Sequence, residues 1–367
     1  MTAKRSAFRP VWPFLFVIPG GIGVLFAELA VRISPVEVPV LAFFGMAYPL
    51  SSAALIVGVL GALWSRRWKT GLIGGLIFTL SWPHMTATWG AVRTPADTDA
   101  KQLKVVTWNV RQFNRYAWIE QPGVRDSILS YLGAQKADVI CLQECFLEGR
   151  RQPWMSAERL KQASGLAHWE EEFELGRGQD KLFGLAVLSR FPIVSKSALR
   201  FDNDKNNSGM YVDLVVGGDT VRVYNMHLSS IGFEKEDYED ALNVQDEAAR
   251  LRVYNRLDAA WQKRTDQSEQ IAASVAESPH PVIAVGDFND TPVSYAAQRF
   301  STHLRDAYRS ARLFQGPFLG ATYIGDLPFL RIDQVWASPE LDIVDYRTGQ
   351  VELSDHRPVN VSFSWSE

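Results

Sequence analysis

The segment Val282-Ile-Ala-Val-Gly-Asp287-Phe-Asn289 closes a continuous apolar run with an acid and an amide two residues apart. Side chains at i and i+2 of an extended strand share a face, so Asp287 and Asn289 are expected to address one small object. Gly286 allows the backbone to come close to it. An oxygen-rich pair of this kind suits a hard cation, a water to be deprotonated or a phosphate oxygen to be held. Asp and Asn also open turns, and Thr291-Pro292 follows, so the pair needs company before it means chemistry. Other polar islands share its position at the ends of apolar runs: Trp108-Asn109, Gln143-Glu144, Asn225-Met226-His227, Arg331-Ile332-Asp333 and Ser354-Asp355-His356-Arg357-Pro358. Singly, each reads as a structural histidine or a loop acid. Together they form an inventory of acids, amides and imidazoles that fits metal-assisted hydrolysis of a phosphate ester.

The elements that must carry these islands follow from periodicity. Leu103 to Val110, Ala137 to Gln143, Phe183 to Ser189, Tyr211 to Val216, Val221 to His227, Ile332 to Ala337 and Val359 to Phe363 read as strands, and Val124 to Ala134 as a helix. Gly217-Gly218-Asp219 reads as a hairpin turn. Continuous apolar strands mixed with hairpins and helices point to mixed sheets buried between helices. The charge-rich stretch Phe233 to Arg264 reads as a solvated helical face. Cys141 and Cys145 lie four apart along one apparent strand, too far for a disulfide, and belong to no metal-binding array.

Composition divides the 367 residues near position 95. Residues 11–27, 38–64 and 71–92 carry no charge, and runs of this length are near or above what a bilayer crossing needs. The expectation is an all-helical membrane anchor over residues 1–93, with spans at about 11–31, 38–64 and 71–92, a polar linker at 94–101 and a catalytic domain at 102–367. Pro19-Gly20-Gly21 interrupts the first run, which also resembles the core of a signal peptide. Trp12, Trp64, Trp68, Trp82 and Trp89 near the run ends suit interfacial positions. Lys4, Arg5 and Arg9 precede the first run, and Arg66, Arg67 and Lys69 follow the second. The positive-inside rule then places the N-terminus in the cytoplasm and, in a bacterial host, the large domain in the periplasm or outside. The spacing Gly71-x-x-x-Gly75 is one at which helices can pair. Taking the eight Lys/Arg and four Asp/Glu of residues 1–100 from totals of 38 and 41 leaves 30 and 37 beyond residue 100, a formal charge of −7. That is not the footprint of tight binding to long nucleic acid.

The ordered motifs WN, QE, NMHLSS, GDFND, RIDQVW and SDHRPV resemble those of the endonuclease/exonuclease/phosphatase superfamily over about residues 101 to 366. The resemblance implies an α/β fold, a four-layer α/β/β/α sandwich of two packed mixed sheets, with the motifs gathered at one end. It implies that Glu144 binds a magnesium or manganese ion, with Asn109 ordering that site and Asp355 at or next to it. It further implies that Asp287 activates water beside Asn289, that His356 donates to the scissile phosphate, and that Asp333 orients His356. His227 is the candidate acid for the leaving oxygen. Gln334 departs from the pattern, since many relatives carry an aromatic residue after that Asp. The expected function is a membrane-anchored metal-dependent phosphodiesterase or phosphoesterase acting by in-line attack of water, with a lipid-linked phosphate as one substrate class. An extracytoplasmic nuclease acting on DNA or RNA is the alternative, and a non-catalytic membrane scaffold the third.

Overall fold

A computed structural model describes residues 11–90, 102–149, 153–175, 181–232, 246–311, 313–316, 320–325 and 327–365. The expected linker at 94–101 and the first part of the charge-rich stretch, 233–245, lie outside the described residues. One sheet has seven strands in the spatial order β10 (Leu313–Gln315), β12 (Leu341–Thr348), β13 (Val359–Trp365), β1 (Leu103–Asn109), β2 (Val139–Glu148), β4 (Lys181–Ser189) and β3 (His168–Leu175). The other has six: β5 (Ile193–Phe201), β6 (Asp204–Val216), β7 (Asp219–His227), β8 (Val282–Asp287), β11 (Asp333–Ala337) and β9 (Arg305–Asp306). Both are mixed, since β1 pairs with β2 and β7 with β8 in parallel, while β13, β4, β6 and β11 join antiparallel.

The two sheets pack face to face. Leu103, Val105, Val139 and Cys141 of the first meet Val212, Val223, Ile283 and Val335 of the second in one buried core. Alternate residues turn the other way: Val106, Trp108, Ile140 and Leu142 pack under the helices Val124–Ala134 and Ala157–Ser164. On the far side, Tyr224, Val282 and Ala284 pack under the long helix Glu247–Ala276 and the short helix Tyr295–Ser301. Two-sided burial is why these strands read as continuous apolar runs. β3 and β5 escape that signal. Each lies at a sheet edge and carries charge, Glu170, Glu171 and Glu172 in one and Lys196 and Arg200 in the other, as edges that avoid pairing do.

Residues 11–90 form five helices rather than three: α1 (Phe14–Ala30), α2 (Val40–Met46), α3 (Tyr48–Trp64), α4 (Trp68–Leu80) and α5 (Trp82–Trp89). Pro49 and Pro83 stand in the first turns of α3 and α5. A proline there lacks the N–H that would continue the preceding helix and sets the φ of a new one. Among the described residues no single helix is long and apolar enough to cross a membrane, although α2 and α3, bent by 64°, pass together. Pro19 does not interrupt α1. α1, α3 and α4 lie side by side and antiparallel, with Gly20 and Gly23 against Ser51 and Leu55, and Gly74 against Val59. A Cβ on Gly75 would meet nothing within 4 Å, so no helix among the described residues packs closely on it.

The helices are also bonded to the sheet domain. Arg331 donates through Nη2 to the Ala87 carbonyl at 3.0 Å and pairs with Asp306 at 2.7 Å, with both side chains buried. Phe43 of α2 packs on Trp261 of the long helix, ring centroids 4.6 Å apart. Gly45 lies so close to Val293 that a Cβ on it would overlap the Val293 carbonyl oxygen. Gly45→Leu is therefore expected to lower full-chain stability by about 1–3 kcal/mol through overpacking, measurable as a lower thermal midpoint in detergent. An unchanged midpoint would mean that α2 does not bear on the sheet domain.

Candidate active site

Every polar island reaches the same end of the two sheets. Asn109 ends β1, His227 ends β7, Asp287 ends β8 and Asp333 opens β11. The pairing register sets His227 beside Asp287 and Asp287 opposite Asp333. Gly286 has a φ of 143°, and a Cβ there would overlap the Met226 carbonyl. Only glycine fits where β7 and β8 are pressed together to bring their terminal residues into reach.

Asp287 is the centre. Its Oδ2 accepts from the Asn109 amide at 3.0 Å and lies 3.6 Å from Nε2 of both His227 and His356. Its Oδ1 accepts the Asn289 backbone N–H at 2.8 Å. Burial pushes the Asp287 carboxyl up, opposed by the His356 charge and assisted by Asp333. Asp333 holds Nδ1 of His356 at 2.8 Å, and the Thr322 hydroxyl oxygen accepts the Asp333 N–H at 3.0 Å. Burial alone would lower the His356 pKa, but the charges of Asp333 and Asp287 and the Asp333 hydrogen bond raise it well above the ordinary imidazole range. His356 is thus held as a cation.

Asn109 joins this group to Glu144 through a second bond from the same amide nitrogen, 3.1 Å to Oε1. Glu144 sits in a β-bulge: β2 runs three residues from Leu142 to Cys145 while β4 runs two, from Ala186 to Gly184. The extra residue gives Glu144 a φ of 49° and re-aims its side chain, a common use of a bulge beside a site. It also reverses the faces of the strand, so Cys141 lies in the inter-sheet core and Cys145 under the helices, both as free thiols. Gln143, in the same bulge, donates to Asn225 at 2.6 Å and Thr107 at 3.0 Å.

One expected site residue, Asn289, is placed differently from the strand geometry assumed for it. β8 stops at Asp287, and Asn289 turns into left-handed backbone at φ 49°. Its side-chain amide then donates to the Leu228 carbonyl at 2.9 Å, so it shares no strand face with Asp287. Asp355 is engaged by Arg111, 3.2 Å from Nε, and by the Ser354 hydroxyl at 3.2 Å. Gln334 donates to the Asp290 carbonyl at 2.8 Å, tying β11 to the turn after Asp287.

For a metal, Asn109, Glu144 and Asp355 provide oxygen donors of the kind a hard divalent cation takes. Asp287, Asp333 and His356 also bring ligand-type atoms within 4.8 Å of one another. There, however, Asp333 occupies Nδ1 of an imidazole held charged, and a protonated ring does not ligate. That trio is better suited to moving a proton.

The long helix contributes residues that the charge-rich stretch concealed. Arg264 is buried, donates through Nη1 to the Ser229 carbonyl at 2.8 Å and through Nε to Asp290 at 3.1 Å. It bridges the segments that follow His227 and Asp287. Gln267, also buried, accepts the Ser229 N–H at 2.9 Å and donates to its hydroxyl at 2.9 Å. Arg264 and Gln267 lie on one helical stripe with Leu257, Trp261, Ile271 and Val275, and that spacing marks them as inward-facing. Arg264 thus departs from the solvated face expected of residues 233–264, while Arg250, Arg252 and Arg256 are exposed as expected.

Two substitutions test this wiring. Asp333→Asn removes the carboxylate that charges His356, so the ring should lose its proton at a lower pH in the variant than in the parent. Histidine carbon shifts by NMR report it, and identical titrations would remove Asp333 from that role. Arg264→Met leaves Asp290 buried without its cation and should cost about 3–5 kcal/mol in urea unfolding; a loss below about 1 kcal/mol would make the bridge incidental.

The family model described as the endonuclease/exonuclease/phosphatase family matches residues 106–356. The UPF0294 protein VV1_1880 of Vibrio vulnificus is 25% identical over 267 residues, covering 71% of this chain and 77% of that protein. A Bacteroides thetaiotaomicron protein of the same family superposes with a TM-score of 0.53 at 17% identity, covering 73% of this chain and 100% of that one. The structure of a family protein from Beutenbergia cavernae gives 0.51 at 21% identity, covering 72% of each chain. These solved structures share the fold, and the family match spans the islands from the strand β1 to His356. The chain belongs to the endonuclease/exonuclease/phosphatase family, whose members are metal-dependent phosphoester hydrolases.

Proposed function

We propose that this protein is a membrane-held phosphoesterase that cleaves a phosphodiester by in-line attack of water with magnesium or manganese. The observation that carries it is the buried constellation in which Asp287 Oδ2 lies 3.6 Å from two imidazoles while Asp333 holds His356 at 2.8 Å. A carboxylate with a raised pKa is a better base toward water at neutral pH, which suits Asp287 to take the proton. The His356 imidazolium meets the charge that grows on the phosphate oxygens. His227 supplies a proton to the leaving oxygen, and Asn289 fixes the turn beside Asp287. A divalent ion bound through Asn109, Glu144 and Asp355 would withdraw charge from the phosphate as the ester bond breaks.

The helices supply the membrane half. Among the described residues, most of the exposed large hydrophobic side chains belong to residues 11–82, among them Leu15, Ile18, Leu60, Trp64, Leu72, Ile73 and Leu76. α1 and α3 have 17 residues each, a rise of about 25 Å, and a bilayer core is about 30 Å thick. Trp12, Trp64 and Trp68 stand at one end of the three antiparallel helices, with Arg66, Arg67 and Lys69. α2 and α5, which touch the sheet domain, stand at the other. By the positive-inside rule the cationic end faces the cytoplasm and the active site faces away from it.

Purified full-length protein is expected to hydrolyse bis(p-nitrophenyl) phosphate with either ion and to stop on chelation. Asp287→Asn and His356→Ala should each lower kcat at least about 100-fold. A parent inert on soluble diesters, nucleotides and sugar phosphates with both ions would sink the proposal. The protein should also stay in the membrane pellet through an alkaline carbonate wash, and release by that wash would refute the membrane half.

A further inference from the structure

Leu327, Pro328 and Phe329 form an exposed apolar turn, closed by the Leu330 N–H to the Leu327 carbonyl at 3.1 Å. Leu327 and Phe329 are each 38% exposed. Isolated apolar residues on a surface need no explanation, but this turn joins two parts of the molecule. Its stem rests on the active site: the N–H groups of Thr322 and Tyr323 donate to Leu330 at 3.0 and 3.1 Å, and that of Ile324 to the Asp355 carbonyl at 2.8 Å. The Tyr323 ring stands 5.4 Å from the His356 ring, and on the other flank Arg331 leads directly into Asp333. On its outer side, Phe329 and Leu330 line a small cleft with Gly45, Pro49, Ala87 and Pro292. Leu50, next to Pro49, is 68% exposed. The cleft thus sets the turn that flanks the catalytic histidine against α2, α3 and α5, at the end of the bundle where Leu50 is exposed.

We infer that the Leu327-Pro328-Phe329 turn enters the surface of the same bilayer as the helices and presents to His356 the phosphodiester of an amphiphile, a headgroup ester on a lipid. This rests on the membrane-held phosphoesterase proposed above and names its substrate class. Apolar side chains on a short rigid turn gain by burial at the boundary between headgroups and acyl chains. A diester anchored by its acyl chains is confined to that boundary. The turn lies between the helices and His356, so a lipid diester reaches the histidine along it. A water-soluble ester has no use for the turn.

The test compares two esters with the same leaving group on full-length protein in phosphatidylcholine vesicles: soluble bis(p-nitrophenyl) phosphate, and a phospholipid carrying p-nitrophenol as its headgroup. The double variant Leu327→Ser with Phe329→Ser should lower the ratio of lipid rate to soluble rate at least about tenfold. Leu251→Ser, at an exposed leucine on the long helix, should leave that ratio within about twofold of the parent. A double variant with the parent's ratio overturns the inference, whether both rates persist or both fall together. So does a parent that cleaves the soluble diester and not the lipid one. A parent inert on both esters fails the phosphoesterase proposal itself, and the inference falls with it.

Discussion

Asp287 and Asp333 face each other across neighbouring antiparallel strands, both buried. Two carboxylates that share a dry site repel, and each also loses its hydration. The folded chain keeps them there by surrounding them with compensation. His356 bridges the two, His227 approaches Asp287 from β7, and Asn109 donates to it from the other sheet. The need to neutralise this pair explains why a histidine far inside the protein stays charged, and why residues from both sheets converge on one point. A charge that costs energy in the resting fold is a charge already in place when a phosphate arrives.

Holding that pair requires the turn after Asp287 to stay still, and it is braced from several directions. Arg264 grips Asp290 from the long helix, Gln334 grips its carbonyl from β11, and Asn289 grips Leu228. α2 presses on Val293 through Gly45, and α5 receives Arg331 two residues before Asp333. The helices are therefore part of the scaffold of the site. They fix its orientation relative to the bundle of α1, α3 and α4.

Much of this was legible from residue order. Strand ends carried the polar islands, and the apolar runs of β1, β2, β7 and β8 located them because both faces of those strands are buried. β3 and β5 were illegible for the converse reason: edge strands carry Glu170, Lys196 and Arg200, which erase the hydrophobic signal. The breaks in the helical region were written in Pro49 and Pro83, but a lack of charge over a long run outweighed them. Arg264 was hidden because a buried cation looks like a surface one until the stripe from Leu257 to Val275 is traced around the helix. The position of Asn289 depended on where β8 stops, and a strand end is set by its neighbours in the sheet rather than by local sequence.

The bulge at Gln143 and Glu144 ties the candidate metal ligand to the parity of a core strand. Up to Leu142, odd-numbered residues of β2 face the other sheet; from Cys145 onward they face the helices. Loss of one residue here would do more than remove a ligand. It would turn Cys145 and Leu147 toward the wrong layer and misalign both cores at once. Insertions and deletions, which reshape most loops of a protein over evolutionary time at little cost, are barred from this point by packing alone, whatever becomes of the chemistry.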